Sequence, residues 1–153
     1  SEGVLIKGID AGDRSGISVS SAGDVDGDGI DDVIIGAYLA SPDGTLGAGE
    51  SYVVFGSALA TEKSDDGVLD LATLTPSQGV LIKGIDFNDR SGESVSSAGD
   101  LDGDGLDDVI IGARRADPDG VSEAGESYVI YGAQLTSEAL EDGVIDLADY
   151  WIG

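Results

Sequence analysis

The sequence predicts an all-β protein: two tandem four-stranded antiparallel units packed sheet on sheet, each with a cation-binding loop between two of its strands. Three observations carry this expectation. One unit is written twice, because "GVLIKGID" begins at Gly3 and again at Gly79 and the same offset then holds without a gap to the end of the chain. Apolar segments are short and bounded by glycine and aspartate, which favours strands over helices. The acidic stretch "GDVDGDGIDDVIIG", from Gly23 to Gly36, runs directly into a bare aliphatic segment and recurs in the second copy.

Taken in order, the first copy offers strands at Val4 to Ile9, Ile17 to Ser21, Val33 to Ala37 and Ser51 to Phe55, and the second copy repeats all four. Turns rich in glycine and aspartate separate them. The "DRSG" turns at Asp13 and Asp89 set an aspartate beside an arginine, which predicts a local ion pair at each. "SPDGTLGAG" and "DPDGVSEAG" are expected as exposed turns built on Pro-Asp-Gly. Glu50 and Glu126, which open apolar strands, are expected to cap or bond a neighbouring loop. Ser57 to Asp66 and Ala133 to Asp142 are glycine-free polar stretches, with one helical turn expected at "SEAL". "GVLDLATL" and "GVIDLADY" add either a further short strand or a turn. Tyr150 and Trp151 are expected to be packing residues rather than a sugar platform.

The sequence copies divide the chain at 1–78 and 79–153. The strand that opens each copy lies between the last strand of one copy and the second strand of the next, so structural units are expected to be offset by a strand. "VLI", "VII" and "VVF" place apolar side chains on both faces of the sheet, where a half-exposed sheet would alternate. Sheets covered on both sides and repeated in tandem fit a stack such as the blades of a β-propeller.

Composition narrows the chemistry. With 153 residues the chain suits one domain or two small units. Acidic residues number 31 against 7 basic ones, for a formal charge of -24, so nucleic acid and anionic membrane surfaces are repelled and cations are the natural partners. No apolar run approaches the roughly 20 residues that span a bilayer, and membrane insertion is not expected. The chain opens in mid-pattern without a methionine and is expected to be a mature fragment or a piece of a longer array. Cysteine and histidine are both missing from the sequence, which removes disulfides, thiolate sites and the commonest general base. Hard, oxygen-based chemistry remains.

The acidic stretch has calcium-loop spacing. With Asp24 as position 1, carboxylates fall at positions 1, 3, 5 and 9 (Asp24, Asp26, Asp28, Asp32), and Gly29 at position 6 permits the sharp turn. Alternate side chains of a tight loop turn onto one centre, and the backbone carbonyl of Ile30 at position 7 adds a ligand. The second copy matches at Asp100, Asp102, Asp104, Leu106 and Asp108, so two Ca²⁺ ions per chain are expected. Asp31 and Asp107 at position 8 are expected to point outward or cap the turn. Position 12 is Ile35, where an EF-hand needs a bidentate glutamate, and the flanks are strands, so a helix-loop-helix sensor is excluded. A merely solvated acidic turn would be self-repelling, and magnesium prefers stricter octahedral geometry.

These residues resemble the FG-GAP repeats of integrin α-subunit propellers and of many bacterial secreted or surface proteins. The two halves of the motif's name stand here as Phe55-Gly56 and Gly36-Ala37, with the acidic loop immediately before the latter. Tyr38 and Arg114 replace the motif's proline, and Tyr131 replaces the second phenylalanine. The resemblance implies blades of four antiparallel strands, with the metal loop joining two strands on one rim.

The expected function is a calcium-stabilised structural or adhesive module of a secreted or cell-surface protein; the alternative is a carbohydrate-binding, lectin-like propeller module. Sites that bind calcium at about 10⁻⁴ to 10⁻³ M fill outside the cell rather than in the cytosol. Propellers use about four to eight blades, so two blades leave faces uncovered and call for self-association or neighbouring repeats, with strands exchanged between neighbours. A protein or glycan adhesion partner is expected at the exposed turns. Catalysis is not expected, because the paired carboxylates are committed to metal and no nucleophile stands with a histidine.

Overall fold

A computed structural model of the chain describes residues 2–136 and 140–151. In the first copy the strands are β1 (Leu5–Lys7), β2 (Ser18–Gly23), β3 (Asp32–Ala37), β4 (Glu50–Val54) and β5 (Val68–Asp70), with one helix, α1 (Gly56–Ser64), between the last two. The second copy supplies β6 (Gly79–Lys83), β7 (Ser94–Gly99), β8 (Asp108–Ala113), β9 (Glu126–Ile130) and β10 (Val144–Asp146). Among the described residues no helix is long and apolar enough to cross a membrane.

The sheets differ from two self-contained four-stranded units. One sheet has five strands in the order β10-β6-β4-β3-β2, a second has three, β7-β8-β9, and a third pairs β1 with β5. The physical reason is that "GVLIK" bonds to the copy before it. β6 opens the second copy yet lies antiparallel to β4, in a register running from Glu50 opposite Lys83 to Val54 opposite Gly79. β10 then adds parallel to β6, as β5 does to β1. The first sheet therefore contains the expected antiparallel quartet β2-β3-β4-β6, assembled across the boundary between sequence copies.

Both alternatives for "GVLDLATL" and "GVIDLADY" are realised in succession: a strand, then a 3-10 turn at Leu71–Thr73 and at Leu147–Asp149. Asp70 and Asp146 stop the strands by accepting the N–H of Ala72 and of Ala148, each at 3.0 Å. The helix α1 falls in the first glycine-free stretch, where alanine, leucine, glutamate and lysine favour helix and Lys63 lies in the last turn, next to the negative end of the helix dipole. The second copy has a 3-10 turn there, Gly132–Gln134, and residues 137–139 of "SEAL" lie outside the described residues.

Both faces of the five-stranded sheet are packed, as the continuous aliphatic strands require. Ile34, Val53, Val80 and Ile82 join Val109, Ile111, Tyr128 and Ile130 of the three-stranded sheet in one core. Ile35, Tyr52 and Val54 turn the other way and pack with Leu69, Leu71 and Ala58, with Val4 and Ile6 against them. The period of two along each strand thus feeds two cores at once.

Candidate metal centre

Each acidic loop joins the last residue of one strand to the first of the next: Gly23 ends β2 and Asp32 opens β3, as Gly99 ends β7 and Asp108 opens β8. Register slips by a residue between Ser21 and Gly23, and again between Ser97 and Gly99. These β-bulges bend the chain out of the sheet and into the loop.

Within the loop the aspartates fold their own backbone. The Asp24 carboxylate accepts from the N–H groups of Gly27 (2.8 Å), Asp28 (3.1 Å) and Gly29 (2.9 Å). Asp26 accepts from Asp28 N–H at 3.2 Å and Asp28 from Ile30 N–H at 2.8 Å. The second loop repeats this with Asp100 accepting from Gly103, Asp104 and Gly105, Asp102 from Asp104, and Asp104 from Leu106. Such bonds hold the side chains inward; Oδ1 of Asp24 and of Asp100 each accepts two N–H groups, while Oδ2 of both accepts one and keeps a lone pair.

Position 9 does something the spacing alone does not show. Asp32 is 1% exposed; one oxygen accepts from Val25 N–H at 2.9 Å and the other from Gly56 N–H at 2.8 Å. Asp108 is fully buried and bonds in the same way to Leu101 and Gly132. Each carboxylate clamps its loop to a glycine two residues past the end of β4 or β9. The glycine there is required by close approach, since a Cβ on Gly56 would lie 2.3 Å from the carbonyl oxygen of Asp31.

Carboxylate oxygens of Asp24, Asp26 and Asp28 lie within 4.8 Å of one another, and so do those of Asp100, Asp102 and Asp108. Asp32 falls outside the first group and Asp104 outside the second. Ile30 and Leu106 each donate an N–H to the aspartate two residues before. Burial raises the Asp32 carboxyl to about 6, against the pull of its bonds from Gly56 and Val25. Burial also raises Asp26, with the charges of Asp28 and Asp24 pushing the same way. Like charges held this close favour a cation among them.

One link escapes any reading of a single copy. Asp107 reaches across from the second loop, its side chain accepting from Asp24 N–H and its own N–H donating to the Asp24 carbonyl, both at 3.0 Å. The two loops are therefore bonded neighbours on one rim. Asp31, the equivalent residue of the first loop, is exposed.

A second acidic region is a cleft of about 720 Å³ whose lining includes Asp86, Asp89, Asp117, Asp119, Glu126 and Trp151. Asp89 is buried and accepts from Asp86 N–H at 3.2 Å; burial, then the charges of Asp86, Glu126 and Asp117, raises its carboxyl to about 6. The ion pairs expected within the "DRSG" turns are not among those of the described residues. Arg90 instead bonds Asn88 and lies 5.5 Å from the centre of the Tyr38 ring. Glu50 and Glu126 accept from the hydroxyls of Tyr52 and Tyr128, rather than from a neighbouring loop. Trp151 packs on Tyr128 with ring centres 5.3 Å apart and on Tyr150 at 5.9 Å.

Residues 15–54 and 91–130 match the FG-GAP repeat. Each match begins before the acidic loop and ends with the last residue of β4 or of β9. Among similar proteins, integrin alpha-PS2 of Drosophila melanogaster is 31% identical over 136 residues, covering 85% of this chain and 8% of that protein. Integrin alpha pat-2 of Caenorhabditis elegans is 35% identical over 117 residues, covering 74% of this chain and 8% of that protein. Phosphatidylinositol-glycan-specific phospholipase D of Bos taurus is 30% identical over 121 residues, covering 79% of this chain and 14% of that protein. The chain thus corresponds to a small part of each relative's length.

Proposed function

The chain belongs to the FG-GAP repeat family, and from that premise we propose that it is a calcium-binding structural and adhesive module of an extracellular or cell-surface protein. The observation that carries this reading is the convergence of three carboxylates in each loop within 4.8 Å, in a chain of net charge -24. An all-oxygen donor set of this kind suits a hard divalent ion. In the first loop Asp24, Asp26, Asp28 and Asp32 would hold it with the Ile30 carbonyl, and in the second Asp100, Asp102, Asp104 and Asp108 with that of Leu106. Bound calcium supplies the positive charge that the clustered carboxylates lack.

The chain's own residues turn that charge into rigidity. Asp32 and Asp108 carry the loop's position to Gly56 and Gly132, and Asp107 ties the second loop to the first. Extracellular calcium modules have dissociation constants of about 10⁻⁴ to 10⁻³ M, and ion at ~10 times that value adds about 1.4 kcal/mol per site. That is a large share of the stability of a small fold. Sites of this strength fill where calcium is abundant, which supports an exterior location, as does the likeness to integrin alpha chains. The Pro42–Gly44 and Pro118–Gly120 turns are the places proposed to meet a protein or glycan partner. No catalytic role is proposed, because relatives named as integrins and as a phospholipase share these repeats.

Calorimetric titration with calcium and thermal melts with calcium or chelator test the reading. Two ions per chain and a higher melting temperature in calcium are expected, both lost in the double variant Asp24→Ala, Asp100→Ala. Identical melts and no binding heat would overturn it.

A further inference from the structure

We infer that the chain associates head to tail with a second copy of itself, the paired strands β1 and β5 of one molecule adding to the open edge of β9 in the other. This names a partner for the module proposed above, and it stands on strand pattern and burial rather than on calcium. The chain already contains the product of such a junction. Its five-stranded sheet has the order β2-β3-β4-β6-β10, and β7-β8-β9 followed by β1-β5 would reproduce that order strand for strand. Gly3 to Lys7 and Gly79 to Lys83 are the same sequence, "GVLIK". The pairs β1-β5 and β6-β10 share one parallel register, Leu5 opposite Val68 and Leu81 opposite Val144.

The backbone donors point the right way. Leu81 N–H bonds the Gly143 carbonyl on the β10 side at 2.9 Å, and Leu5 N–H bonds Gly67 on the β5 side at 2.8 Å. Amide direction alternates along a strand, so the N–H groups of Val4 and Ile6 face away from β5. Gly84 N–H bonds the Gly49 carbonyl and Phe55 N–H that of Gln78, which places the Ser51 and Val53 amides toward β6. Ser127 and Val129 are their counterparts at the free edge of β9, where β8 is the one bonded strand among the described residues. The junction would set Glu126 opposite the second copy's Lys7 and Ile130 opposite its Gly3.

Burial marks the same two surfaces. Ile34 and Val53 are fully buried by the β7-β8-β9 sheet of the same chain, whereas Ile110 and Val129 on the equivalent face are only half-buried. On the opposite face, Val19 is 65% exposed while its counterpart Val95 packs against the core. The polar contacts repeat the pattern. Lys83 pairs with Asp43 at 2.8 Å, and Asp119, the counterpart of Asp43, stands in the acidic cleft with Lys7 as the matching cation. Asp107 bonds Asp24, and the exposed Asp31 would meet the second copy's Asp100 in the same way. A head-to-tail contact closes into a ring when the rotation allows, and two to four copies would give about four to eight blades.

Sedimentation of the chain in saturating calcium, over a concentration series, tests this. Wild type is expected to form closed assemblies of more than one copy. Ser127→Pro removes an edge amide of β9, and Val4→Pro removes one beside the strand that docks on it; among the described residues neither amide faces a bonded strand. Each variant alone is expected to sediment as a monomer, and an equal mixture to give a 1:1 dimer and nothing larger, because one sound head and one sound tail remain. Circular dichroism and the calcium melting shift confirm that each variant is folded. Should a proline variant fail to fold, Lys7→Glu and Asp119→Lys replace the pair, each weakening assembly and the mixture restoring it. A wild-type monomer throughout, or blocked variants that assemble like wild type, would overturn the inference; a calcium melting shift retained by that monomer would leave the module reading standing.

Discussion

Ser51 and Ser127 hold the same place in the two copies, in the same "GESYV" context, yet the first is fully buried and the second exposed. The same contrast runs through the two sheets. Asp24 is bonded by Asp107, and a Cβ at Gly23 or Gly27 would meet Asp107 or Leu106, whereas one at Gly99 or Gly103 would meet no atom within 4 Å among the described residues. The loops themselves are alike in hydrogen bonding to about a tenth of an ångström. Each loop and its strands form from local sequence, while a copy's burial is supplied by the copy packed on its far side.

The contrast is broken most forcefully at Gly36 and Gly112. A Cβ on Gly36 would lie 1.9 Å from the Gly92 carbonyl oxygen, a backbone atom of the second copy. On Gly112 its nearest neighbour is the rotatable Ser94 hydroxyl at 2.4 Å. Gly36→Ala is expected to cost about 3 kcal/mol in urea unfolding, and Gly112→Ala less than about 1 kcal/mol. Equal costs would show that the two faces are equally packed.

Ile34 and Ile110 sharpen the same point through cavity formation. Ile34→Ala removes a fully buried side chain and is expected to cost about 2 to 5 kcal/mol, with Ile110→Ala costing roughly half as much. Denaturant midpoints measured at low protein concentration check this. If the Ile110→Ala penalty grows with concentration, the open face is being covered by another molecule.

The acidic turns offer a smaller contrast that depends on pH. The Asp89 carboxyl is raised to about 6, above its unfolded value, so the fold holds the proton more tightly than the unfolded chain does. The ionised group therefore costs nothing below about pH 4, and its penalty grows as pH rises through about 6. Asp89→Asn is expected to stabilise the protein at pH 7.5 and not at pH 4, with Asp13→Asn, at a less buried position, giving a weaker trend. Melts of each variant beside wild type at the two pH values decide it.

The smallest expected difference lies in the lysines. Lys83→Ala breaks an exposed pair with Asp43 and is expected to cost about 0.5 kcal/mol. Lys7→Ala, whose pair with Asp70 is more exposed on the lysine side, should shift the monomer's melt still less. A larger effect of Lys7→Ala on sedimentation than on melting would separate its role between copies from its role within one.

Much of this was legible because it is local. Every expected strand is present within a few residues, since short aliphatic runs between glycine and aspartate have little else to form. The acidic loop was legible from its spacing. Asp32 was legible as a carboxylate of the loop, but not as a clamp on Gly56, because its partner lies 24 residues away. Asp107 was legible as an outward or capping residue, but nothing in one copy announces that it caps the other copy's loop. The helix α1 stood out in sequence only as a stretch free of glycine, and in the second copy the described residues Gly132–Gln134 form a 3-10 turn.

By itself the sequence determined the duplication, the strands, the acid-rich loops and the demand that both sheet faces be covered. These follow from side-chain pattern and turn chemistry within a few residues. The tertiary structure alone decided that β6 completes the sheet of the preceding copy, which edge of β9 stays open, and which of two identical serines is buried. Backbone hydrogen bonds between strands are blind to side-chain identity, so the pattern names a strand but not its neighbour; that choice falls to whichever faces bury the most apolar surface when the sheets stack.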